Sequence, residues 1–350
     1  MKEKTKEYRE QLAEAFITIL EEKQLDWKKE WKGSGLHLPV NAKTGIRYHG
    51  INQFYLGLIA LERGYTDYRW ATFKQTQDKG WKLENAKGHG VKVEYWYPFD
   101  NEEKKTITWE EFRTAGGVLG DRYFLRVQYA TVFNGSLIAG IPEIPEPELR
   151  EVSPDALIEK LSVNMNVEII NDGGDRAYYS VLEDKIHLPL PQTFLSDYAY
   201  ASTALHELAH STGAVNRLNR DLSGSFGTEE YAFEELIAEI SSCFMSVNLQ
   251  TEQDVYHVEN HKAYVQCWVS HIREKPEALV KAIQQAEKAA SYMEYQAELI
   301  EQKDFENINR SSMEIKEEKQ LMINNRRELQ KPEASKVIGK PVKRVPGKSR

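Results

Sequence analysis

The sequence has only two cysteines, Cys243 and Cys267, and no run of apolar residues near the ~18 that a membrane span needs. Two thiols set in apolar helical patterns are expected to fill core rather than to form a disulfide or a metal pair. The opening Met1-Lys2-Glu3-Lys4 is charged and has no apolar segment of the signal-peptide kind, so a cytoplasmic protein with no membrane partner is expected. No internal repeat is evident.

Charge is abundant but unevenly placed. Residues 1–140 carry 22 Lys/Arg against 19 Asp/Glu, residues 151–300 carry 10 against 24, and residues 301–350 carry 13 against 8. Six of the seven tryptophans (Trp27, Trp31, Trp70, Trp81, Trp96, Trp109) fall in the first stretch, so the two halves should present different surfaces to different partners. Between them Ile141-Pro-Glu-Ile-Pro-Glu-Pro147 cannot be helical and reads as an extended spacer. The expected organisation is a head at 1–140, a proline-rich linker at 141–150, a second domain at 151–300 and a charged, partly disordered basic tail at 301–350.

Hydrophobic spacing and end signals predict helices over 5–22, 51–63 and 73–79, the last with Thr72 as N-cap, and aromatic and β-branched enrichment predicts strands over 92–97 and 123–133. The head is therefore α+β. Beyond the linker, Ser153-Pro154 opens a helix. Strand segments follow at 167–170, 178–181 and 185–188, then a helix from Ser196 or Asp197 to Gly213. Two loop glycines, Gly224 and Gly227, lead to a helix over 228–248, and helical patterns cover 254–273 and 277–300, broken at Lys275-Pro276. The second domain is α+β as well.

The run His206-Glu207-Leu208-Ala209-His210 carries the clearest chemistry. On a helix its two histidines stand ~40° apart in rotation and ~6 Å apart in rise. Two imidazoles so placed can close on one zinc ion at ~2.0–2.1 Å per nitrogen. Glu207, turned ~100° from His206, can serve as general base to a water activated by that ion. With nine histidines in 350 residues, chance would supply only ~0.03 runs of this pattern, so it is treated as a metal motif.

A third protein ligand is required, and Phe233-Glu-Glu-Leu-Ile-Ala-Glu-Ile240 offers three glutamates. Around its apolar stripe Glu235 and Glu239 share one shoulder while Glu234 points to the other side. Glu235 is the first choice, with Glu239 orienting a ligand histidine; Glu234, Glu229, Glu230 and Glu239 stay open as alternatives. His261 or Tyr264 could donate to a developing oxyanion, although packing is the commoner use of such residues. His187, alternating with apolar neighbours, reads as structural.

These residues resemble a known family. Residues 197–249, with Thr212-Gly213, Arg217-Leu218, Arg220-Asp221-Leu222, Phe226-Gly227, Tyr231-Ala232 and Glu234–Glu239 after the His-Glu-Leu-Ala-His run, look like the zincin-like metallopeptidase domain of ArdC-type antirestriction proteins. The segments 39–52, 69–96 and 131–142, with Trp27 and Trp31, resemble the N-terminal single-stranded-DNA-binding domain of the same family. The resemblance implies two α+β domains, a single-stranded-DNA-binding head and a gluzincin-like metallopeptidase with one zinc ion. It implies carriage on a mobile genetic element and protection of incoming DNA from a host restriction enzyme. Two other functions stay open: an active zinc protease recruited to DNA to cleave a host or element protein, and a non-catalytic DNA-binding module with a structural metal.

In the head, aromatic residues alternate with basic ones at Arg47-Tyr48, Arg69-Trp70, Lys74 and Trp81-Lys82. Rings can stack on unpaired bases while cations meet phosphates, so these seven residues are the expected contacts to a single strand.

Overall fold

The computed structural model describes residues 3–23, 38–144, 153–225, 228–246, 248, 262–306 and 308. Expectations for Trp27, Trp31, His261, Gly227, the tail beyond 308 and most of the linker therefore lie outside the described residues, as do the side chains of Tyr264 and Cys267.

In chain order, helix α1 spans Glu3–Lys23, β1 Val40–Asn41, α2 Gly50–Glu62, β2 Arg69–Thr72 and α3 Phe73–Asp78. Then come β3 (Lys82–Leu83), β4 (Val91–Asp100), β5 (Lys105–Thr106), α4 (Trp109–Thr114), β6 (Tyr123–Asn134) and β7 (Ile138–Ala139). Past the linker lie α5 (Pro154–Met165), β8 (Glu168–Asn171), β9 (Tyr178–Ser180), β10 (Lys185–Leu188) and α6 (Asp197–Ser211). Helices α7 (Glu229–Ser246), α8 (Lys262–Glu274) and α9 (Pro276–Gln296) complete the described elements.

The predicted boundaries arise from local chemistry. Thr72 caps α3 in a reciprocal box with Gln75, and Ser153 caps α5 by accepting the Ala156 N–H ahead of a proline at the first turn. Ser196 caps α6 in the same way, through the Ala199 N–H. Gly50 begins α2 at φ +54 with its N–H donating to Glu287 at 2.6 Å, and a Cβ there would come within 3.0 Å of that carboxylate.

A five-stranded sheet runs β1-β2-β6-β4-β5, parallel at β1–β2 and antiparallel elsewhere. Its long β4–β6 ladder pairs Val91 with Val132 and Asp100 with Tyr123. A three-stranded sheet, β8-β10-β9, lies beside α6. The mixed α and β organisation expected of both halves is present.

One apolar cluster crosses the linker. Tyr8, Leu12, Phe16 and Leu20 of α1 and Phe54 and Leu58 of α2 join Leu205, Leu208, Leu236, Phe244, Ile283 and Met293 from α6, α7 and α9. Phe54 meets Phe16 and Phe244 edge-on, at 5.2 and 6.4 Å between ring centroids. Cys243 is buried in this cluster, as expected. No helix among the described residues is long and apolar enough to cross a membrane.

Candidate metal centre

Helix α6 presents His206 and His210 one turn apart, and α7 crosses it to bring up its glutamates. The apolar stripe Leu236, Ile237, Ile240 and Phe244 fixes the rotation of α7 by packing into the core, which leaves Glu234, Glu235 and Glu239 facing α6. His206, His210 and Glu235 offer ligand atoms all within 4.8 Å of one another. The two Nε2 atoms stand 3.2 Å apart, and Glu235 lies 3.5 Å from each of them. Bonds of ~2.0–2.1 Å arranged tetrahedrally around one ion imply donor separations of ~3.3–3.4 Å. The three residues therefore fit a small divalent metal.

The opposite edges of the rings support the same arrangement. His210 Nδ1 is 3.2 Å from Glu234, and His206 Nδ1 is 3.8 Å from Glu239, which is fully buried. Each ring thus turns Nε2 toward the shared point and Nδ1 toward a carboxylate, the orientation that fixes a ligand histidine's tautomer. Glu207 is buried beside them, close enough for its charge to act on His210. Burial alone would lower the His210 pKa, but bonds to Glu234 and Glu235 outweigh it and push the pKa up to about 10. Burial likewise raises Glu235, yet its bonds to His206 and His210 hold that carboxyl far below the usual range. Ligation through Nε2 needs both imidazoles unprotonated there, so a metal must compete with the proton that these carboxylates favour on His210.

Glu234 differs from the helical-wheel expectation. It does not point away from the site; it is buried, at 2.6 and 2.9 Å from Arg220. Arg220 also donates to Thr212 Oγ1 at 2.6 Å and to the Ala209 carbonyl at 2.8 Å, tying the end of α6 to α7. A wheel places side chains around one helix and cannot register a cation arriving from the preceding loop. Arg217 acts similarly, binding Asp184 in the β9–β10 turn and the Ser211 carbonyl. Glu229 and Glu230 begin α7 on exposed positions and do not join the cluster. His187 bonds Asp172 and Glu183 and stacks on Tyr178, a structural setting outside the metal cluster.

Not all of the seven residues expected to meet a single strand reach the surface. Trp70 is fully buried beneath α2 with Leu56, Ile59 and Val132, so its ring offers no stacking face; apolar packing outranks the aromatic–basic pattern there. Arg69 is held in a fork by Asp67, and Arg47 donates to Gln53 and Glu294, so both guanidinium groups already face anions or amides within the chain. Tyr48 is half-buried against the Trp70 cluster. Lys74 and Lys82 are exposed and Trp81 is half-buried.

Comparison with known proteins accords with this geometry. Residues 156–285 match the zincin-like metallopeptidase family, and residues 6–133 match the N-terminal domain of anti-restriction factor ArdC. Two DNA primase TraC proteins of Escherichia coli are 35% and 34% identical over 305 and 299 residues, covering 84% and 83% of this chain. The matched region is 27% and 20% of their length, so this chain spans about a quarter or less of these relatives. The uncharacterized protein y4eC of Sinorhizobium fredii is 28% identical over 82% of this chain and 91% of its own. The antirestriction ArdC protein from R388 plasmid has the same fold. Its metal-free structure superposes with a TM-score of 0.66 at 28% identity, covering 84% of this chain and 99% of that one. Its Mn(II)-bound structure gives 0.64 at 29% identity, covering 83% and 97%. With both domain families matched in order and a His-His-Glu centre between α6 and α7, the chain belongs to the ArdC antirestriction proteins.

Proposed function

We propose that this protein binds single-stranded DNA during transfer of a mobile element and carries a zinc-dependent peptidase centre that acts against a host restriction component. The observation that carries the enzymatic half is the convergence of His206, His210 and Glu235 with a buried Glu207 one residue along the same helix. Two imidazoles and one carboxylate at tetrahedral spacing suit zinc, and the R388 ArdC relative has a structure with Mn(II) bound. A bound metal supplies Lewis acidity, lowering the pKa of a water and polarising a carbonyl. Glu207 accepts the proton of the attacking water and returns it to the leaving amine. A purely structural metal has no need of a buried carboxylate in that position.

The DNA half rests on the ArdC N-terminal domain and on the relatives themselves. The same segment occurs within proteins named DNA primase, and one relative comes from a plasmid. The deciding experiment incubates metal-loaded wild type and Glu207→Gln with restriction subunits and DNA, scoring subunit cleavage and DNA protection separately. Loss of both in Glu207→Gln, with metal content unchanged, is expected. Protection that survives without cleavage would overturn the peptidase reading and leave a non-catalytic metal.

A further inference from the structure

The β4–β6 ladder has two faces with opposite chemistry. In register, Val91, Val93, Tyr95, Tyr97 and Phe99 of β4 share one face with Phe124, Arg126, Gln128, Ala130 and Val132 of β6. Helix α2 covers the Val91, Val93, Ala130 and Val132 end of this face. Beyond it the aromatic end continues into solvent: Tyr95 is 59% exposed, Gln128 is exposed, and Tyr97, Phe124 and Arg126 are half-exposed. No residue of this face is acidic, and Arg126 is its one charge. The reverse face of the same ladder carries Glu94 and Asp100 and is covered in part by α4.

Arg126 is the unusual member. Its guanidinium lies 3.3 Å from the Phe99 ring centroid and 5.3 Å from that of Phe124. Among the described residues it meets no carboxylate, whereas Arg47, Arg69, Arg122, Arg217 and Arg220 are all ion-paired. A guanidinium flattened on a ring keeps its edge donors free for a planar or tetrahedral anion. Directly opposite it on the ladder is Tyr97, whose ring stacks with that of Tyr95 at 6.2 Å and 23°. That separation is close to twice the ~3.4 Å rise of stacked bases, so the pair can flank one base or carry one each.

We propose that Tyr95, Tyr97 and Arg126 form a stacking site for unpaired nucleotides of single-stranded DNA, with Arg126 receiving a phosphate. The proposal rests on the single-strand reading above and locates it on a surface distinct from Arg47, Arg69 and Trp70, whose side chains the fold consumes. Stacked aromatic rings tolerate any base, and one unpaired arginine on a face without acids complements a polyanion. A duplex offers no free base faces to the rings and should bind less well.

The test uses the full chain and a fluorescent single strand of ~20 nucleotides, its duplex form and an abasic strand of equal length, followed by anisotropy across a salt series. Tyr95→Leu and Tyr97→Leu should weaken single-strand binding about fivefold or more at every salt concentration, and Tyr95→Phe should restore it. Arg126→Ala should weaken binding mainly at low salt and flatten the salt slope by about 0.7, the value of one phosphate contact to a single strand. Leu182→Ala, at an exposed turn far along the chain, should match wild type, and equal melting temperatures exclude misfolding. Wild-type binding that persists within twofold in all three variants would overturn this site while sparing the single-strand reading. No binding by wild type would overturn both. Equal loss by Tyr95→Leu on the abasic strand, or a change only in self-association, would show that the rings meet a backbone or a protein rather than a base, and would also overturn the proposal.

Discussion

Arg220 and Glu234 close a two-bond pair on the Nδ1 side of His210, while Glu235 faces the Nε2 side of the same ring. Neighbouring glutamates on one helix thus take different tasks, one as candidate ligand and the other as a support held by a cation from the preceding loop. Both carboxylates are buried, and only Glu235 reaches the two imidazoles together.

The division of labour predicts metal contents. Elemental analysis after dialysis should find His206→Ala and Glu235→Ala depleted of metal. Glu234→Ala should still bind, with affinity lowered ~10–100-fold, as for loss of a group that orients a ligand. Full occupancy in Glu235→Ala together with depletion in Glu234→Ala would reverse the assignment.

Removing Arg220 should be worse for folding than for chemistry. Arg220→Ala leaves the Glu234 carboxylate buried without its cation, a change that costs about 3–5 kcal/mol. Arg220→Ala combined with Glu234→Gln should recover part of this loss. Thermal unfolding measures both, and a single variant that melts like wild type would contradict the role given to the pair.

The linker-crossing core has an energetic signature in Arg47 and Glu294. They meet at 2.7 Å, with the Glu294 side chain only 5% exposed. Arg47→Ala should therefore destabilise the whole chain, by up to about 3 kcal/mol, and not merely weaken DNA binding. Tryptophan fluorescence, dominated by the N-terminal residues, and metal release should report one shared unfolding transition. Reduced DNA binding with unchanged melting would return Arg47 to the DNA surface.

Trp70 and Trp81 should separate in the same assay. Trp70 has no exposed surface, so Trp70→Ala should cost about 3–5 kcal/mol and unfold the sheet end under α2. Trp81 is only half-buried, and Trp81→Ala should leave the fold intact. A folded Trp70→Ala protein of normal stability would refute the buried placement.

His187 supplies a pH prediction away from the metal centre. Its bond to Asp172, followed by that to Glu183, raises its pKa above the ordinary 6.5. A raised folded value means the contribution is full below 6.5 and is lost as pH rises through the folded pKa. Asp172 is lowered by the Gly174 N–H and then by His187, and Glu183 is lowered by His187, so the share of each is lost as pH falls through its own folded value. An NMR titration should show His187 above 6.5 and Asp172→Asn bringing it down. A wild-type value at or below 6.5 would sink this pairing.

Much of this architecture was legible in the residues. Thr72 and Ser153 cap the helices they were expected to cap, and of Ser196 and Asp197 it is Ser196 that caps α6, because a side-chain oxygen and the N–H three residues on are local partners. The spacing of His206 and His210 sets one metal edge, because an α-helix imposes it whatever the surroundings. The β4 and β6 strands were equally readable from their aromatic and β-branched residues, although β4 runs on to Asp100.

What the order of residues does not contain is the approach of one element to another. Whether Trp70 stacks on a base or disappears under α2, whether Arg47 meets a phosphate or Glu294, and which glutamate Arg220 claims all depend on contacts between residues far apart in the chain. Local periodicity decides helices, strands and the His-Glu-Leu-Ala-His face. Tertiary packing decides which charges and rings remain for a ligand, because burial and long-range pairing remove them from solvent only once the chain has closed on itself.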